Sequence, residues 1–116
     1  MKQKIKILYV EDEENWHLTV IPCLEERFAV TAFKDINKAK AAFRREKFDI
    51  VICDGTINAS NDGYNWAWDL NKNQQKVILL SSIPSVEIPS VPKGPFNPVE
   101  LERMIDKLLG TDTPRH

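Results

Sequence analysis

The sequence is poor in the features that announce many functions. It has two cysteines, and Cys23 falls in a helical pattern while Cys53 sits in an apolar run. Both read as small buried hydrophobes, which excludes a disulfide framework or a thiolate metal site. The formal net charge is −1 and the lysines and arginines are scattered through both halves, so no basic patch for nucleic acid is expected. No apolar stretch is long enough to span a bilayer, and Met1 to Val10 reads as a charged strand rather than a leader. The expectation is a cytoplasmic chain with no membrane partner. His17 has no cysteine or second histidine at ligand spacing, so it is expected to face solvent or cap a helix. What is present is ordinary: 116 residues, 42% hydrophobic and 28% charged, which predicts one globular domain whose core needs no staples.

Against that plain background, Phe48 to Thr56 stands out as an apolar run that ends abruptly in Asp54 and Gly55. Ile50 to Cys53 show no polar alternation, the pattern of a strand buried on both faces of a parallel sheet. Ligands of open α/β sheets sit beyond the carboxyl ends of the strands, so Asp54 would project to where chemistry occurs. Asp-Gly is also a common turn signal, and taken alone it reads as a turn. A second stretch changes the balance: Lys4 to Val10 is strand-like and ends in Glu11-Asp12-Glu13-Glu14. If the two strands are neighbours, Glu11, Asp12 and Asp54 converge, and carboxylates at that range repel unless a cation sits among them. Mg2+ suits such a set, because it takes oxygen ligands, uses one or two carboxylates and completes its octahedron with water or a phosphoryl oxygen. Glu13 and Glu14 read instead as an acidic first turn favoured by a helix dipole.

The remainder alternates strands with helices. Asn15 to Phe28 carries Trp16, Val20, Leu24 and Phe28 at a spacing of four, one face of a helix that Pro22 either kinks or delays. Ala29 to Phe33 is a short strand, and Asp35 caps a second helix through Glu46 with Ala39, Ala42 and Phe43 inward. Residues 54 to 62 form a polar loop, Gly63 opens a helix through Leu70, and Lys76 to Leu80 is a fourth strand followed by Ser81-Ser82. This order predicts a doubly wound parallel sheet. Pro84, Pro89, Pro92 and Pro95 then exclude a normal helix and leave room for a short extended piece at Ser90-Val91. Pro98 to Leu109 is a clear helix, with Leu101, Ile105 and Leu108 on one face and Gly110 as its stop. Residues 111 to 116 read as a loose tail.

Together these residues resemble the receiver domain of two-component response regulators. Lys6-Ile7-Leu8-Tyr9-Val10-Glu11-Asp12-Glu13 is similar to its first strand and acidic pair, and Asp35 to Asp54 to the second helix and the strand before the phospho-accepting aspartate. Asp62-Gly63 matches the glycine step before the third helix, Val77 to Ser82 the fourth strand with its hydroxyl residue, and Lys93-Gly94-Pro95-Phe96 the Lys-Pro-Phe segment. The resemblance covers nearly the whole chain. It implies a CheY-like, flavodoxin-like fold over residues 1–110: an α/β, five-stranded parallel sheet in the order 2-1-3-4-5. It also implies phosphoryl transfer to Asp54 from a sensor histidine kinase or phosphotransfer protein. Asp12 would bind Mg2+ directly and Glu11 through water, with the Asp54 carboxylate and the Thr56 carbonyl as further ligands. Ser81 and Lys93 would contact the phosphoryl group. Such a domain signals to a downstream protein, catalyses only its own phosphorylation and hydrolysis, and is not a dedicated enzyme.

Four departures accompany the likeness. Ser81 and Lys93 are twelve positions apart, so the family's fourth helix looks deleted and replaced by a Pro-rich loop. Ser90, Val91 and Pro92 offer no aromatic residue where the family's fifth strand has one. Gly94 separates Lys93 from Pro95, and Asn58 stands where the family usually has proline. Trp66 and Trp68 are two apart on a helix and cannot both face one core. Either one of them, with Ile83, Val86 and Ile88, covers the gap or forms a partner-binding surface, or the pair is a core tryptophan with a partly exposed neighbour. Two functions remain open: a phosphorylated single-domain receiver, or a degenerate receiver that binds a partner without phosphorylation. Cys53-Asp54-Gly55-Thr56 is also similar to the haloacid-dehalogenase motif, but Ile52 stands where that chemistry needs its nucleophile.

Overall fold

The structure, a computed structural model, describes residues 4–57, 59–83 and 85–110. Five parallel strands form one sheet: β1 (Ile5–Val10), β2 (Phe28–Phe33), β3 (Ile50–Cys53), β4 (Val77–Ser81) and β5 (Ser90–Pro92), in the order β2-β1-β3-β4-β5. That is the expected order. Every residue of β3 and β4 is buried, as continuous apolar runs require of central strands, whereas β2 at the edge mixes buried and exposed positions.

Because successive side chains on a strand point to opposite faces, the sheet carries two cores. Ile7, Tyr9, Ile50, Ile52, Ile78 and Leu80 face α1 (Glu14–Glu25) and α4 (Pro98–Leu109). Leu8, Val10, Val51, Cys53, Val77 and Leu79 face α2 (Ile36–Ala42) and α3 (Asp62–Lys72). Cys53 is buried and Cys23 half-buried, and both are free thiols. Among the described residues no helix is long and apolar enough to cross a membrane.

Local chemistry sets three of the helix ends. The Asp35 carboxylate accepts from the Asn37 and Lys38 N–H groups, and the Asn97 side chain accepts from Val99 and Glu100. Gly110 closes α4 in the left-handed region at φ 65°. Three boundaries differ from expectation: Phe28, placed by its spacing on the first helix, instead begins β2, because α1 ends at Glu25. α2 stops at Ala42 rather than Glu46, because Phe43 turns to extended backbone and lies against Phe48 and, edge-on, Trp66. α1 starts at Glu14 and continues through Pro22, which excludes a late start; Val20 and Leu24 are both buried beside it. Helix packing outweighs the one donor that Pro22 removes.

No helix lies between β4 and β5 among the described residues. The chain instead makes a turn on Ser85, whose Oγ accepts from the Glu87 N–H at 3.0 Å and the Ile88 N–H at 3.3 Å. This turn delivers Ile88 into the core with Trp66, Leu70 and Val77, covering sheet that a helix would otherwise hide. The grouping expected from sequence is therefore divided: Ile88 and Trp66 are buried, while Ile83, Val86 and Trp68 are exposed. Asn58, Pro84 and the tail at 111–116 lie outside the described residues.

Candidate functional site

The register of the central strands assembles the acids. Val10 of β1 is level with Cys53 of β3, so Glu11 and Asp54 leave adjacent strands at the same height. The Asp54 N–H donates to the Val10 carbonyl at 3.1 Å, and the Glu11 N–H to the Phe33 carbonyl at 3.0 Å. Oxygens of Glu11, Asp12 and Asp54 lie within 4.8 Å of one another. Glu11 and Asp54 are buried and Asp12 is half-buried.

Lys93 closes this set. Its N–H pairs with the Ser81 carbonyl at 3.1 Å, continuing the β4–β5 pairing by one residue. The side chain is thus placed by the strand, and Gly94 falls after it and does not move it. The Lys93 Nζ lies 2.6 Å from Glu11 Oε1 and 3.1 Å from Asp54 Oδ2. It also sits 4.9 Å from the centre of the Trp16 ring, which meets Phe96 edge-on. Glu11 Oε1 is buried, and the Lys93 ammonium is its partner there.

Burial and the charge of Asp54 push the Glu11 carboxyl up to about 7, against the lowering effect of Lys93. Burial alone would lower the Lys93 ammonium, but Glu11 and Asp54 outweigh it and hold it above its usual value. The Tyr9 phenol beneath the site is pushed up by burial and by the negative charge of Glu11 and Asp54.

Two predicted residues stand at the margin of the cluster. Thr56 is exposed, and its N–H reaches Asp54 Oδ1 at 3.4 Å. Ser81 is buried at the end of β4, where its Oγ lies 3.1 Å from the Tyr64 hydroxyl and accepts from the Ile83 N–H at 3.3 Å. Gly63 lets α3 approach closely, since a Cβ there would lie 1.8 Å from the Asp54 carbonyl oxygen.

Sequence reasoning missed His17 and Tyr64. His17 is buried rather than solvent-facing. A ring nitrogen donates to the Glu11 carbonyl at 2.6 Å, and the ring packs against Tyr9. The signal was available: His17, Val20 and Leu24 share one helical face, and all three are buried. Tyr64 had no comparable signal, because the partners of its hydroxyl come from β4 and the segment beyond it.

No protein-family model matches the chain, and no curated protein sequence does. Solved structures do match it in shape. The receiver domain of HemR from Leptospira biflexa, in its non-phosphorylated form, aligns over 97% of this chain and 100% of its own, with a TM-score of 0.78 at 24% identity. The chemotaxis protein CheY4 of Vibrio cholerae aligns over 92% and 100%, with a TM-score of 0.76 at 21% identity. This chain has the receiver-domain fold. The receiver likeness extends to DrrB of Thermotoga maritima, an OmpR/PhoB homologue: TM-score 0.77 at 22% identity, over 96% of this chain and 55% of DrrB. The DrrB receiver domain alone, in a BeF3-activated form, aligns over 93% and 99% with a TM-score of 0.73 at 22% identity.

Proposed function

We propose that residues 1–110 act as a receiver domain that accepts a phosphoryl group on Asp54 from a phosphohistidine of a sensor kinase or phosphotransfer protein. The observation that carries this reading is the convergence of Glu11, Asp12, Asp54 and Lys93 at the carboxyl ends of β1, β3 and β5. A BeF3-activated receiver domain of the same fold supports it, since BeF3− has the shape and charge of a phosphoryl group.

The donor set fits Mg2+: it consists of oxygens, and those of Glu11, Asp12 and Asp54 lie within 4.8 Å of one another. Glu11, Asp12, Asp54 and the Thr56 carbonyl would hold the ion, which when bound neutralises charge on the transferring phosphoryl oxygens. The chain supplies the rest. An Asp54 carboxylate oxygen attacks phosphorus and forms an acyl phosphate, while the P–N bond breaks and its electron pair leaves with the imidazole. Transfer of this kind depends mainly on positioning and positive charge. His17 holds the Glu11 backbone, Lys93 brings an ammonium to Asp54, and Ser81 is a hydroxyl donor for a phosphoryl oxygen. Such a domain phosphorylates and dephosphorylates itself and passes the signal to a downstream protein.

Intact-protein mass spectrometry after incubation with acetyl phosphate and Mg2+ tests this. The expected result is a phosphoryl adduct that disappears with EDTA and in Asp54→Asn. A folded wild-type sample that takes no adduct would refute it. One observation favours a second reading, a partner-binding module that needs no phosphorylation: Lys93 already bridges Glu11 and Asp54 from within the chain. Partner capture that is unaffected by Asp54→Asn would select that reading.

A further inference from the structure

We infer that Tyr64 controls the Ser81 hydroxyl and couples it to the connection between β4 and β5. This rests on the phosphoryl-accepting reading of Asp54 and adds a positioning residue to it. The inference follows from counting protons. A hydroxyl has one proton to give, and a backbone carbonyl has none. The Tyr64 hydroxyl contacts the Ile83 carbonyl, so Tyr64 must donate there. Its oxygen then has only lone pairs for Ser81, and the 3.1 Å contact between the two hydroxyls requires Ser81 to be the donor. Ser81 Oγ accepts the Ile83 N–H at 3.3 Å. The three groups close a ring that runs from the Ile83 N–H through Ser81 and Tyr64 back to the Ile83 carbonyl.

Ser81 therefore spends its single proton on Tyr64. It can donate to an oxyanion on Asp54 only by releasing Tyr64. The tyrosine is also fixed to the acceptor loop: its N–H donates to the Gly55 carbonyl at 3.0 Å, and its ring lies where a Cβ on Gly55 would come within 2.5 Å. One residue thus touches the backbone that follows Asp54, the hydroxyl at the end of β4, and the start of the next connection. Coupling of this kind is reciprocal. An oxyanion that draws the Ser81 proton weakens the hold on Ile83, and anything that pulls Ile83 away frees the proton for the oxyanion. Ile83 and Val86, both exposed, lie on the connection so released.

Tyr64→Phe keeps the ring over Gly55 and removes the competing oxygen. Beryllofluoride binding in the presence of Mg2+, followed by NMR, is expected to tighten roughly threefold to tenfold, the effect of one neutral hydrogen bond that no longer competes. The gain is expected to vanish on a Ser81→Ala background. A merely structural role for Tyr64 would weaken binding, so unchanged or weaker binding, or a gain that persists without Ser81, overturns the inference. Amide exchange at Ile83, measured without any anion, is expected to accelerate in Tyr64→Phe. Unaltered exchange refutes the tie to the connection. A folded wild type that binds no beryllofluoride refutes the phosphoryl-accepting reading instead, and Ile83 exchange then decides the Tyr64 link by itself.

Discussion

Lys93→Met is the most informative single change. It keeps the length of the side chain and removes the charge from a position only 6% exposed, leaving Glu11 at 0% and Asp54 at 5% without their ammonium. Removing one member of a buried ion pair typically costs about 3–5 kcal/mol, because the remaining charge is uncompensated. Protonation of Glu11 offers partial relief, so a loss of about 3 kcal/mol is expected at pH 8 in EDTA. In urea unfolding this is a midpoint lower by roughly 1–3 M. The pH dependence has a definite sign. The Glu11 carboxyl is raised from 4.5 to about 7 in the folded protein, so between those values the folded state binds more protons than the unfolded state. Stability therefore falls as pH rises through that window. Loss of the ammonium steepens the fall, so the deficit of Lys93→Met is expected to be larger at pH 8 than at pH 5.5. Mg2+ at a hundredfold excess over its Kd is expected to restore about 2.7 kcal/mol by binding only the folded state. A deficit equal at both pH values, with Mg2+ stabilising variant and wild type alike, would refute the view that Lys93 occupies a cation position.

Three further changes test the scaffold. Gly63→Ala forces a Cβ to within 1.8 Å of the Asp54 carbonyl oxygen, so a loss of at least about 3 kcal/mol or failure to fold is expected in thermal melts. Ile88→Ala, at a residue 4% exposed, is expected to lose about 2–4 kcal/mol by chemical denaturation, whereas Val86→Ala should stay within about 0.5 kcal/mol. Asn97→Ala removes the oxygen that accepts from Val99 and Glu100, and should lower stability by about 1 kcal/mol.

The parts of the molecule that were legible in its residues are those decided locally. Ile50 to Cys53 and Val77 to Leu80 read as buried strands from their short apolar runs rich in β-branched residues, and the two strands that end in acids, β1 and β3, point their carboxylates to one end of the sheet. Pro98 and Gly110 bracket α4 because each suits one end of a helix. What was not legible depends on partners distant in the chain. Phe43 leaves its helix for Phe48 and Trp66, Ile88 fills a space that exists only once α3 is packed, and the proton of Ser81 is claimed by a tyrosine seventeen residues earlier. Lys93 is an intermediate case. The Gly94 insertion suggests displacement, but strand pairing up to the lysine places it before the glycine has any effect.

The short β5 has a consequence for how this sheet meets other chains. It is an outer strand, like β2 at the other margin, and since Pro89 and Lys93 bond to β4, the alternate residues Ser90 and Pro92 turn their backbone groups outward. Pro92 has no N–H to offer a newcomer. The Ser90 hydroxyl donates to the Ile88 carbonyl at 2.8 Å and accepts from the Ser85 N–H at 3.0 Å, which holds the 85–88 turn against that rim. An open sheet margin normally invites another strand to add to it. Here the margin is blunted by the same proline-rich segment that stands in place of a helix, so copies of this protein should not zip together through β5 even at high concentration.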